Sequence, residues 1–243
     1  MNTTEMMERS AEVSPRSKAR IAGLWYLLTF LMGVVSSLAG GGIATTVDSI
    51  VARQPQFWLG YAADLGVVIC YVAVTALFYD LFKPVNRGLS LLAAFFSIVG
   101  CAVGAFAHIF HLAAVALLGG APDLSVFNAG QLRVLASMFL QFYNQGFGIA
   151  MVFFGCYCLL IGYLIFKSVF LPRVLGVLLA FAGLACLTFL IPSLAHALSP
   201  YNLATDALAE LALTLWLLVM GVNPQRWKEQ VKAAEERRSL ACD

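Results

Sequence analysis

Six apolar stretches, each long enough to cross a lipid bilayer, constrain this chain more than any other feature. They fall at about 21–44, 57–82, 88–118, 146–166, 171–198 and 204–222. A helix needs about 20 apolar residues to span a hydrocarbon core of ~30 Å. None of the six keeps a sustained period-two alternation, which argues against a membrane barrel. Helices are the remaining way to satisfy backbone polar groups in lipid. The expected fold is therefore all-α, a polytopic transmembrane helical bundle of six spans with the lipid bilayer as its main partner. Composition agrees: 12% of residues are charged, against about 25% in a soluble domain.

Charge placement sets the expected orientation. Arg9, Arg16, Lys18 and Arg20 precede the first span, and Lys83 and Arg87 lie between the second and third. Lys167 and Arg173 lie between the fourth and fifth, and Arg226, Lys228, Lys232, Arg237 and Arg238 follow the sixth. Those thirteen cations fall on one side of a six-span chain, and only Arg53 and Arg133 on the other. The positive-inside rule then places both termini in the cytoplasm. The chain divides into an N-terminal arm, 1–17, a membrane domain, 18–223, and a charged tail, 224–243. The first run is too long for a signal-peptide core and is expected to remain as a span, although Ala39 to Gly42 resemble a cleavage site. The stretch 131–145 is expected to stand at or above the membrane surface, and Pro192 to kink the fifth span near its end.

Cys70, Cys101, Cys156, Cys158 and Cys186 lie inside apolar runs and Cys242 in the tail, which is no disulfide framework. They read as small hydrophobic filler. Gly33, Ser36, Ser37 and Gly40 form a small-residue stripe on the first span, suited to close packing within the bundle or to a homo-oligomer face. FKPVNRGLSLLAA (82–94) and FKSVFLPRVLGVLLA (166–180) echo one another, as duplicated hairpins or as two ordinary positive-inside turns. The net charge of +2, with no basic–aromatic pattern, excludes a nucleic-acid partner.

Four segments carry a family resemblance: RIAGLWYLL (20–28), LFKPVNR (81–87), GFGIAMVFFGCYCLLIGYLIFKSVFLPRVLGVLL (146–179) and ELALTLWLLVMGVN (210–223). Together they resemble the bacterial multi-pass membrane family called domain of unknown function 4386, over roughly 20–227. The resemblance implies a helical bundle in the bacterial inner membrane. It implies no activity and no catalytic residues.

Ionisable and polar side chains cluster toward one face of the membrane. His108 and His111 share a face near the outer end of the third span. Asp64 lies ~9 Å below the outer end of the second span, and Glu210 ~9 Å below Ala204. His196 ends the fifth span, and Gln141, Tyr143, Asn144 and Gln145 precede the apolar part of the fourth. A carboxylate in lipid costs ~3 kcal/mol or more, so Asp64 and Glu210 should face the bundle interior with partners. These nine residues are the candidate pocket.

Four readings of it are open. The first is a structural polar network. The second is an outward-facing pocket binding or passing a small ligand or ion, with Tyr71, Thr75 and Tyr79 as its only inward track. The third is a metal or haem site using His108, His111 and His196 with Asp64 or Glu210, as in a metal-dependent membrane enzyme. The fourth is an intramembrane hydrolase using Ser36 or Ser37, unsupported by any nucleophile motif. The leading function is non-enzymatic, the small-ligand or ion pocket. Asp206, one turn before Glu210, reads as an electrostatic aid to the start of the sixth span, and Asp80 with Lys83 as a local pair.

Overall fold

A computed structural model describes residues 14–42, 45–119 and 126–239, without the side chain of Arg238. Arg9, Ala44 and Cys242 lie outside the described residues. Among the described residues all regular structure is helical. The helices are α1 (Pro15–Leu38), α2 (Val47–Ala52), α3 (Gln54–Phe82), α4 (Arg87–Leu118) and α5 (Ala129–Lys167), followed by α6 (Arg173–Leu187), α7 (Pro192–Ala197), α8 (Tyr201–Val219) and α9 (Pro224–Ser239). Six are long and apolar enough to cross a membrane: α1, α3, α4, α5, α6 with its 3-10 extension to Leu190, and α8. The protein is thus an all-α, multi-pass membrane bundle.

Local chemistry sets the helix starts. The Ser14 hydroxyl accepts from the Ser17 N–H before Pro15, and Asn86 accepts from Leu89 N–H. Asn128 and Gln131 form a reciprocal capping box, as do Thr46 and Ser49. Such caps satisfy orphan N–H groups and contribute about 0.5–2 kcal/mol each.

One expectation changes. The fifth span does not run to 198 with a kink. It ends at Leu190, and Pro192 opens the separate helix α7, where a missing N–H costs nothing. The fourth region is one unbroken helix of 39 residues, about 58 Å long. That exceeds the hydrocarbon core, so its outer turns reach past it or the helix tilts. Phe139 and Phe142 in those turns pack on Phe110 of α4.

The six spans close a ring in chain order: α1 packs on α3, α3 on α4, α4 on α5, α5 on α6, α6 on α8, and α8 back on α1. Glycines set the α5–α6 approach. A Cβ on Gly183 would sit 2.7 Å from the Gly155 carbonyl oxygen, and one on Gly176 2.6 Å from that of Gly162. The small-residue stripe expected on span one acts differently. Gly33 has nothing within 4 Å of a would-be Cβ, while Gly41 approaches Gly60 of α3.

The two ends of the ring differ. At the end that carries the start of α1 and the tail helix, called inner here for its place in the bundle with the opposite end called outer, Lys18 pairs with Asp80 at 2.6 Å, and Lys83 also bonds Asp80. Trp227 Nε1 donates to the Leu81 carbonyl at 3.1 Å, so the tail helix docks at the same end. Above it Tyr26, Phe78, Phe82, Phe170, Leu213 and Leu217 form a buried plug. At the outer end Arg133 meets Asp48 at 3.0 Å. Large apolar side chains such as Ile69, Phe106, Phe181 and Leu208 face outward all round the ring, as a lipid solvent requires.

Candidate functional site

The closed ring leaves a cavity of about 220 Å³ among α1, α3, α4, α5 and α8. Asp64, Val67, Val68 and Tyr71 line it from one face of α3, at the i, i+3, i+4, i+7 spacing that a helix stripe dictates. Gly100, Cys101, Gly104 and His108 line it from α4, and Asp206 with Glu210 from α8. Gly104 leaves room, since a Cβ there would meet only Ala150, at 3.8 Å. Among the described residues no Lys or Arg lines the cavity.

Its outer end holds Asp64, His108, His111 and Tyr143. One donor atom from each of Asp64, His108 and His111 lies within 4.8 Å of the other two. Asp64 Oδ2 accepts from the backbone N–H of Gly42 at 3.1 Å. Gly42 takes φ +61°, a left-handed conformation that costs glycine nothing, and this aims its N–H at the carboxylate. His108 Nδ1 donates to the Gly104 carbonyl at 2.8 Å. A carbonyl only accepts, so the proton of a neutral ring is on Nδ1 and the Nε2 lone pair is free. That Nε2 lies 3.5 Å from Asp64 Oδ2 without a hydrogen bond. His111 stacks on Tyr143 at 3.8 Å between centroids and meets Phe57 edge-on. Its Nε2 is also buried without a hydrogen-bond partner.

The inner end is deeper. Glu210 sits midway along α8 and is 8% exposed. Its Oε1 accepts from the Tyr71 hydroxyl at 2.5 Å, and the Tyr71 and Tyr26 hydroxyls lie 3.3 Å apart. Cys158 Sγ lies 3.9 Å from both Glu210 Oε1 and Asp206 Oδ1. Two acids one turn apart in a low-dielectric interior repel, and each costs several kcal/mol to bury as an anion. A cation, a proton included, is the simplest way to balance them.

The nine sequence candidates therefore separate. Asp64, His108, Tyr143 and Glu210 line the central cavity, with His111 against its outer end. Asn144, Gln145 and His196 are exposed and line a second groove, of about 940 Å³, beside α7. Phe147 borders both spaces. Gln141 is exposed and lines neither. His196 does not join the donor cluster of His108 and His111, because the chain breaks at Pro192 and carries it away on α7. Among the described residues no hydrogen bond joins Ser36 or Ser37 to a histidine; Ser36 is buried against the Gly41 turn.

Sequence reasoning gave three lining or neighbouring groups other roles: Asp206 as an electrostatic aid to a helix start, Tyr71 as the head of an inward track, and Cys158 as apolar filler. Asp206 lies four residues before Glu210, and Tyr71 seven after Asp64, so helix periodicity already put each on the right face. Cys158 carried no such signal, because a buried cysteine in an apolar run looks the same whether it touches an acid or a leucine.

No curated protein and no solved structure matches the chain. One family does match, described as "Domain of unknown function (DUF4386)", over residues 21–221. That stretch contains all six spans but for the first turns of α1, and every residue lining the cavity, so the chain belongs to the DUF4386 family.

Proposed function

We propose that this protein binds a small cation in the central cavity and holds it there or passes it across the membrane. The observation that carries the reading is the lining: three carboxylates, Asp64, Asp206 and Glu210, border one partly open cavity, with no Lys or Arg among its described lining residues. An anionic occupant would add to their repulsion, and a cation relieves it. Size narrows the class. At about 220 Å³ the cavity is below the ~300–1,000 Å³ of drug-sized ligand pockets, which favours an ion or a few-atom amine over a haem.

The inner plug of Phe78, Phe82 and Phe170 supports access from the opposite side, where Asp64 and His108 lie. The thirteen-to-two cation asymmetry supports the orientation: both termini cytoplasmic, the cavity nearer the periplasmic face of a bacterial inner membrane. Reporter fusions at the two chain ends should therefore both report cytoplasm.

The binding test uses the full chain purified in detergent. Its thermal unfolding is followed while small cations, inorganic and alkylammonium, are added one at a time. At least one should stabilise the wild type saturably, by about 2.7 kcal/mol at a hundredfold excess over its Kd. Glu210→Gln should remove most of that effect. Equal responses of the two proteins to every cation would reject the reading.

A further inference from the structure

We infer that Asp64, His108 and His111 form a binding site for one divalent transition-metal ion of the zinc class at the outer end of the cavity. The inference rests on the cation reading of the cavity and narrows it to one end and one chemistry. Three observations converge on it, and each concerns a different property.

The first is the donor set. Two imidazoles and one carboxylate are the ligands that borderline divalent metals prefer, and three protein ligands with one open position is a common arrangement for an accessible zinc. The second is geometry. Tetrahedral zinc with N and O ligands holds its donors about 3.3 Å apart. Asp64 Oδ2 and His108 Nε2 are already 3.5 Å apart, and no donor of the three is more than 4.8 Å from another. Small side-chain rotations close the set. The ligands come from two adjacent spans, α3 and α4, so the site does not depend on a loop.

The third is unmet bonding capacity. His108 is 6% exposed and His111 1% exposed, yet the Nε2 of each lacks a hydrogen-bond partner. Leaving one buried polar nitrogen unsatisfied is costly, and two side by side beside a carboxylate point to something that binds them together. The supports behind the ligands fit that role. Gly104 fixes the His108 tautomer with Nε2 as the free electron pair, Gly42 N–H orients Asp64, and Tyr143 holds the plane of His111. His108 thereby carries on its opposite nitrogen the kind of partner that metal-bound histidines characteristically have, whereas His111 is held by ring stacking alone.

The other three-group cluster, Cys158, Asp206 and Glu210, does not make the same case. Glu210 is already bonded to Tyr71, and neither acid is an orphan. The two ends of the cavity thus differ in kind: two imidazole nitrogens without hydrogen bonds beside a carboxylate at one end, and a hydrogen-bonded acid pair at the other. The open position of the imidazole–carboxylate set faces the cavity, since Asp64 and His108 both line it.

The test uses Co²⁺ and Zn²⁺ alone with the full-length protein in detergent, stripped by chelator and dialysed. One equivalent of Co²⁺ should give visible d–d bands of a four- or five-coordinate site, and Zn²⁺ should displace it. His111→Gln should lose the bands and at least tenfold in affinity; the double variant His108→Gln with His111→Gln should bind no metal above the detergent blank. Asp64→Asn should keep metal with weaker affinity and a shifted spectrum. Absent bands in the wild type, or undiminished binding by the double variant, overturns the metal site. If cation stabilisation sensitive to Glu210→Gln persists while Co²⁺ gives no bands, the metal inference alone falls. If it vanishes too, the cavity reading falls with it. Should the double variant not fold, the single variant His111→Gln decides: bands and affinity unchanged from the wild type overturn the site.

Discussion

Tyr71 Oη lies 2.5 Å from Glu210 Oε1, joining α3 to α8 behind α1. The bond crosses the interior of the ring, and it is the point at which a carboxylate at mid-helix becomes tolerable in a membrane protein.

That pair should be energetically coupled. Tyr71→Phe and Glu210→Leu each break the same bond, so the double variant should be less destabilised than the sum of the singles. A coupling of about 0.5–3 kcal/mol is expected from residues in one hydrogen-bond network. Glu210→Leu alone should cost the lower part of ~1–3 kcal/mol, because the Tyr26 hydroxyl remains near Tyr71. Reversible unfolding of the four proteins in mixed micelles measures it, and strict additivity would show the bond contributes nothing.

The α5–α6 crossing should be intolerant of a single methyl. A Cβ on Gly183 would lie 2.7 Å from the Gly155 carbonyl oxygen and 2.9 Å from the Leu159 backbone nitrogen, so the helices must part. Gly183→Ala is expected to cost about 1–3 kcal/mol. Gly33→Ala, on an open face of α1, should change stability little or raise it slightly through helix propensity. Parallel unfolding curves for the two variants check the contrast.

Filling the cavity should separate binding from folding. Gly104→Leu places its Cβ in ordinary contact with Ala150 and its remaining atoms toward the vacant space. The variant should fold and run as a monodisperse peak like the wild type. It should lose the saturable stabilisation by cation, read by the same thermal titration. A full response would mean the occupant sits elsewhere.

Much of this fold was legible because hydrocarbon is an unforgiving solvent. The six spans and the inward placement of Asp64 and Glu210 follow from apolar length and charge scarcity alone. Helix boundaries governed by one residue were less legible: Pro192 reads equally as a kink or as a first turn, and in the structure it is a first turn. That ambiguity misdirected His196 toward His108. The division of the cavity into two ends was also hidden. It arises from which helices become ring neighbours, and the sequence places Cys158 on α5 without saying that α8 lies opposite. The glycine contacts were hidden for the same reason, since Gly155 and Gly183 matter only as a pair.

The central claim is that the buried acids and imidazoles face a shared space that small cations reach, and thiol accessibility tests it most directly. In a chain freed of its native cysteines, Val68→Cys would line the cavity, while Ile69→Cys would lie on the outer face, where Ile69 is 66% exposed. A small cationic methanethiosulfonate added outside intact cells should modify Val68→Cys faster than an anionic reagent of the same size does. Inorganic or alkylammonium cations that stabilise the protein should slow that reaction, and Ile69→Cys should show neither charge preference nor protection. Equal rates for the two reagents at Val68→Cys, or no reaction there at all, would contradict the account.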